Sequence, residues 1–74
     1  MAAVQEARFP RSEAVRSIRY FTPRRELEVN FTNERAYLYF KVPQEKFDEF
    51  RSAESAGGYF NEHIRNRYPY TELR

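Results

Sequence analysis

The sequence predicts an α+β fold, a three-stranded antiparallel meander followed by two helices packed on one face, in the order β-β-β-α-α. Three observations carry this expectation. Apolar residues alternate at Leu27, Val29 and Phe31 and again through residues 36–42, as they do in strands with a buried face. At Pro43 the period changes from 2 to 3.6. The whole chain has 74 residues, enough for a single small domain that buries roughly 60% of the surface its unfolded form exposes.

Residues 1–11 show no periodicity and include Phe9 followed by Pro10, so they read as a flexible N-terminal arm ahead of one domain over residues 12–74. Residues 15–21 are β-rich but alternate imperfectly, and Pro23 then suits position i+1 of a type I turn. Residues 26–31 alternate cleanly, with Glu26, Glu28 and Asn30 opposite Leu27, Val29 and Phe31. Thr32, Asn33, Glu34 and Arg35 offer a polar four-residue turn in which Asn33 tolerates a left-handed conformation. In the third strand Ala36, Leu38, Phe40 and Val42 share one face and Tyr37, Tyr39 and Lys41 the other, which suits a central strand.

Proline is favoured at a first helical position, and Gln44 and Glu45 follow where negative charge suits the helix dipole. Phe47 and Phe50 continue the apolar stripe, and the helix is expected to end near Ala53. Gly57 and Gly58 break the chain before a second helix over residues 59–66, with Phe60 and Ile64 on one face. The expected core is Ile18, Leu27, Val29, Phe31, Leu38, Phe40, Phe47, Phe50, Phe60 and Ile64.

Composition excludes several function classes. There is no Cys and one His, His63, so no disulfide framework, thiolate metal site, cysteine nucleophile or histidine zinc site is available. Apolar residues make up 41% and aromatics 18%, which is enough to order a chain that is 32% charged. No apolar run approaches the roughly 20 residues of a membrane span, and the first residues lack a signal-peptide layout, so a cytoplasmic protein without membrane contact is expected. The net charge is only +2, but it is unevenly placed: +4 over residues 1–25, −3 over 26–56 and +1 over 57–74.

The order of certain residues adds a family. Ser12 to Tyr20, then Leu27, Val29 and Phe31, the Tyr37-Leu38-Tyr39 triplet, Val42-Pro43, Ser55 to Asn61, Ile64-Arg65 and Tyr68-Pro69-Tyr70 together resemble the KTSC domain. This is a short module found at the C-terminus of some lysyl-tRNA synthetases and alone in small bacterial and phage proteins. The resemblance covers residues 12–70 and leaves the arm outside. It implies a domain type first, and RNA binding through the synthetase context. A glycine expected in the second hairpin turn is replaced within residues 32–35.

Three sets of residues are candidates for binding. Tyr37 and Tyr39, about 7 Å apart by strand geometry, are expected on the open sheet face, where unpaired bases stack and Lys41 meets a phosphate. The competing reading packs both rings against neighbours and leaves only their hydroxyls wet. Arg16, Arg19, Arg24, Arg25, Arg65 and Arg67 would form one basic surface if the first strand lies beside the last helix; otherwise they belong to a solvated mixed-charge surface. Ser55, Gly57 and Gly58 offer a weak anion site or simply a cap and a tight corner.

Catalysis is not expected. Asp48 is the one aspartate, Glu62 and His63 point in different directions on a helix, and no nucleophile–base pair is evident. The sequence therefore points to a non-catalytic module without cofactor or metal. The expected partner is RNA, tRNA-like or single-stranded; the alternative is a protein partner or a homodimer held by the same aromatic face.

Overall fold

The computed structural model describes residues 3–74; Met1 and Ala2, part of the expected arm, lie outside them. The elements are β1 (Ala3–Arg8), β2 (Val15–Thr22), β3 (Glu26–Phe31), β4 (Ala36–Tyr39), α1 (Gln44–Arg51), α2 (Ala56–Tyr59), which runs on into a π-helical turn (Phe60–Ile64), and β5 (Tyr70–Glu72). The fold is α+β as expected, but the sheet has five antiparallel strands in sequential order instead of three. Both additions lie in segments without readable alternation. One is the expected arm, which forms edge strand β1. The other is the tail, which returns as β5 beside β4.

Strand β1 is held by its register and its end. Gln5 lies opposite Tyr20 and Ala7 opposite Ile18. The Gln5 and Gln44 amides bond each other reciprocally at 2.8 and 3.1 Å, tying β1 to α1. Phe9 stacks on Phe50 with ring centroids 5.6 Å apart. The arm is thus part of the packed domain.

The imperfect alternation of β2 has a geometric explanation. Val15 and Ile18 are three positions apart, yet both are fully buried. A bulge makes this possible, since Val15 pairs with Phe31 while Ser17 already pairs with Asn30. The β2–β3 turn departs from the type I expectation, with a cis Thr22–Pro23 peptide and Arg25 at φ 59°.

At β4 the expected faces are reversed. A four-residue turn would set Phe31 opposite Ala36 and so put Leu38 and Phe40 beneath the helices. Instead the turn has three residues: the Phe31 N–H donates to the Arg35 carbonyl at 2.8 Å, and Glu34, not Asn33, is left-handed at φ 72°. The register shifts by one, which flips every side chain of the strand. Tyr37 now faces Val29 and Tyr39 faces Leu27. Tyr39 is buried, while Leu38 and Phe40 are half-buried and leave the core. Lys41 at φ 61° then turns the chain so that Val42 is buried.

Pro43 sits one residue before α1, in extended conformation, and α1 ends at Arg51, close to the expected limit. The second helix starts three residues earlier than its sequence suggests. Ser55 supplies the reason, because its Oγ accepts the Gly58 N–H at 3.0 Å and caps the helix. Gly57 and Gly58 therefore lie inside the helix. A Cβ on Gly57 would come within 3.2 Å of the Ala14 Cβ, so the glycine lets α2 approach the β1–β2 connection.

The core lies between the helices and one sheet face. Ile18, Leu27, Val29, Phe47, Phe50, Phe60 and Ile64 are buried as expected, and Phe31 packs at its margin. Val15, Tyr20, Tyr39 and Val42 join them. Tyr20 is affordable there because its hydroxyl donates to the Val42 carbonyl at 2.6 Å, fixing the β4–α1 connection.

Candidate functional site

The register lays side chains in rows across the sheet. On the helix side one row runs Gln5, Tyr20, Leu27, Tyr39, Tyr70 and the next Ala7, Ile18, Val29, Tyr37, Glu72. At β2 and β3 the rows are aliphatic or sealed beneath helices. At β4 and β5 one row becomes Tyr39 and Tyr70 and the next Tyr37 and Glu72, and the helical cover ends at the π turn. An aromatic cleft of about 370 Å³ opens there, lined by Phe31, Tyr37, Tyr39, Phe60 and Tyr70, with Asn33, Arg35, Arg65 and Asn66 at its rim.

Within the cleft Tyr39 and Phe60 form the floor, ring centroids 5.8 Å apart. Tyr37 meets Phe31 edge to face at 5.7 Å. Tyr70 leans against Tyr37 and Tyr39 at 5.5 Å from each, tilted by 38° and 37°. Exposure separates their roles, because Tyr39 is 3% exposed and Phe60 7%, whereas Tyr70 is 58% exposed. Burial pushes the Tyr39 hydroxyl up to about 12, with Tyr37 and Tyr70 adding to the effect and Arg65 opposing it. Tyr39 is therefore a neutral floor residue throughout the physiological range.

The rim is cationic. Arg35 comes from the three-residue turn and pairs loosely with Glu72 at 3.6 Å. Arg65 follows the π turn, where its N–H donates to the Phe60 carbonyl at 2.8 Å, the i to i+5 bond of a π-helix. Arg65 makes no ion pair among the described residues, and no carboxylate lines the cleft. Aromatic faces beside an arginine without an ion pair have the chemistry that suits a flat apolar body bearing negative charge. A cationic guest, which aromatic cages otherwise attract, is opposed by Arg65, while the charge of Arg35 is partly offset by Glu72.

The sequence-selected residues divide accordingly. Tyr37, Tyr39 and Arg65 come together in the cleft, with the tyrosines on the helix side and not on the open face. Lys41, Arg24 and Arg25 lie at the opposite end of β3, where the Val42 N–H reaches the Arg25 carbonyl at 2.9 Å. Arg24 pairs there with Glu26 at 3.7 Å. Arg19 is on the open face, 3.8 Å from Glu28 and over the Phe21 ring, in a row that runs Glu6, Arg19, Glu28, Leu38, Thr71. Arg16 pairs with Glu34 at 3.3 Å, and Arg67 is exposed beyond the π turn. The arginines do not form one basic surface, and the open face is a mixed-charge one.

Ser55, Gly57 and Gly58 serve the start of α2, as cap, close approach and capped N–H, and the cleft lies elsewhere. His63 stacks on Tyr59 at 4.4 Å, and the Tyr59 hydroxyl donates to Glu49 at 2.6 Å. Burial raises the Tyr59 hydroxyl, and the bond to Glu49 raises it further. Among the described residues no cluster of three His, Asp or Glu could hold a metal, and no helix is long and apolar enough to cross a membrane.

Sequence reasoning missed Arg35, Tyr70, Phe31 and Phe60 as site residues. A signal for Tyr70 was present in the Tyr68-Pro69-Tyr70 stretch, but the pairing of β5 that brings it to Tyr39 leaves no mark in a three-residue strand.

Comparison with known proteins places this arrangement. The model of the family described as KTSC domain matches residues 11–68. A lysine–tRNA ligase from Trichormus variabilis is 31% identical over 64 residues, 86% of this chain. The chain spans 11% of that ligase's length. A protein from Tsukamurella paurometabola is 35% identical over 57 residues, covering 77% of this chain and 85% of its own length. The crystal structure of a KTSC domain protein from Yersinia pestis superposes with a TM-score of 0.88 at 29% identity, over 97% of this chain and all of the other.

Proposed function

The chain belongs to the KTSC domain family, and from that premise we propose that it is a non-catalytic module that binds unpaired RNA in the aromatic cleft. The observation that carries this is the pairing of an aromatic cleft with a rim of Arg35 and Arg65, of which Arg65 has no carboxylate partner among the described residues and Arg35 only an exposed pair with Glu72. Aromatic faces hold bases of any sequence, each stack contributing about 1–3 kcal/mol, while arginine contacts the flanking phosphates. The presence of a similar segment in a protein named for a tRNA ligase agrees with an RNA partner.

In this reading Tyr70 stacks the base, Tyr37 and Phe31 wall it, and Arg65 and Arg35 meet phosphate. Lys41, Arg16, Arg19, Arg24, Arg25 and Arg67 supply at most a weak general attraction. The test is an NMR titration of the isotope-labelled chain with tRNA and with single-stranded RNA at two salt concentrations. Shifts confined to Tyr37, Tyr70, Arg35 and Arg65 that shrink as salt rises support RNA binding. Absence of any shift at the lower salt concentration eliminates it.

A further inference from the structure

We infer that the cleft is built for a single unstacked nucleotide, not for a track of successive bases; this rests on the RNA reading and narrows it. Sheet-based binders that hold several bases need several ring faces presented side by side to solvent. Here the rings spend their faces and edges on one another. Tyr37 and Tyr39 meet at 6.4 Å and 70°, Phe31 meets Phe60 at 5.0 Å and 81°, and Tyr39 meets Phe60 at 69°. Two of the five rings are almost fully buried. Tyr70 is the large exposed platform, covered on one side by Tyr37 and Tyr39.

Among the described residues Tyr70 is the one exposed aromatic ring, so no second platform continues it. Along the sheet, the row of Tyr39 and Tyr70 passes inward to Leu27 and Tyr20, both fully sealed. On the far face the neighbouring row is the ion-paired Arg19 and Glu28. One base therefore fills the cleft, and its two flanking phosphates are matched by Arg65 and by Arg35, the latter in exchange for its exposed 3.6 Å pair with Glu72. The rim amides Asn33 and Asn66 stand where a base edge would reach. Asn33 Oδ1 already accepts the Arg35 N–H at 3.1 Å, which leaves its amide nitrogen as a donor.

The test titrates the full chain with uridine monophosphate and with a trinucleotide, a tetranucleotide and an octanucleotide of uridine. The expected result is one footprint for all four, at Tyr37, Tyr70, Arg35 and Arg65, with affinity from the trinucleotide, the shortest oligomer whose base has two flanking phosphates, upward rising only by the number of equivalent sites. Two neutralised phosphates give a logarithmic salt slope of about −1.4 for the octanucleotide. Tyr70→Ala lowers affinity about 5- to 150-fold, and Tyr70→Phe leaves it nearly intact. If affinity climbs more than about tenfold from trinucleotide to octanucleotide, with shifts spreading to Arg16, Arg19 or Lys41, the single-nucleotide inference is overturned and RNA binding stands. If the monophosphate binds and the oligomers do not, the cleft takes a free nucleotide, and it is the RNA reading that falls. No response to any of the four at low salt overturns both.

Discussion

Arg65 and Arg19 carry the same side chain into opposite surroundings, and their replacement separates the cleft from the rest of the charge. Arg65 stands at an aromatic rim without an ion-pair partner among the described residues, whereas Arg19 lies against Glu28 and Phe21. Arg65→Gln should flatten the logarithmic salt slope of RNA binding by about 0.7, the value of one phosphate contact on a single strand. Arg19→Gln should leave the slope unchanged, and equal effects would point to diffuse attraction. The buried tyrosines make a second statement at this scale. Burial is the largest cause of the raised values of Tyr20, Tyr39 and Tyr59, and Tyr39 reaches about 12. Well below pH 10, the ordinary tyrosine value, folded and unfolded chains bind the same phenolic protons and stability does not vary with pH through these groups. As pH rises beyond it the unfolded chain releases protons that the folded chain keeps, so stability falls progressively up to about 12. An absorbance titration of tyrosinate run beside circular dichroism checks this: the Tyr39 transition should coincide with loss of structure. Ionisation of Tyr39 near pH 10 in a chain that stays folded would contradict its place on the cleft floor.

Each secondary element tests a local rule, and the β3–β4 turn tests the most consequential one. Glu34 is left-handed at φ 72°, a conformation that costs a residue with a Cβ about 1–2 kcal/mol. The greater freedom of glycine in the unfolded chain returns roughly half of that. Glu34→Gly should therefore stabilise the domain by about 0.5–1 kcal/mol, because the lost Arg16 pair is exposed and weak. Chemical denaturation measures it, and a destabilised variant would mean that the turn is not the three-residue form. At α2, Ser55→Ala removes the cap on Gly58 and should cost about 1 kcal/mol by the same measurement. This turn also shows what could be read beforehand. Strands β2, β3 and β4 and both helices follow from periodicity, and so does most of the core. The face of β4 does not, because Ala36, Leu38 and Phe40 on one side and Tyr37 and Tyr39 on the other are both apolar enough to be buried. Only the length of the preceding turn decides between them, and a polar stretch of four residues closes with either three or four. The cleft was half legible for that reason: its tyrosines were identified, but assigned to the wrong face.

At the scale of the whole molecule, a domain this small depends on every segment that covers its core. With 74 residues, stability of only a few kcal/mol is expected, so a strand at the edge is not dispensable. Strand β1 brings the reciprocal Gln5 and Gln44 amides, the pairing along β2, and Phe9 on Phe50. Phe9 is half-buried, and its replacement by Ala should cost about 2 kcal/mol, less than a fully buried phenylalanine would. For a domain of this size that lowers the thermal midpoint by about 8–16 °C. Gln5→Ala, which takes the donor from Gln44 Oε1 while the Gln44 amide nitrogen keeps its bond to Asp48, should cost about 1 kcal/mol more in combination. Removal of residues 1–9 should abolish cooperative unfolding altogether, because Phe50 and the β2 edge lose their cover together. A chain shortened in this way that kept its melting temperature would show that the segment is an arm after all. The cleft offers an independent reading of the same experiment. It lies at the β4–β5 side of the sheet, so Phe9→Ala in a chain still folded at low temperature should bind RNA with unchanged affinity. Stability and binding are then carried by opposite edges of one sheet, the first by the strand that seals α1 and the second by the strand that leaves Tyr70 uncovered.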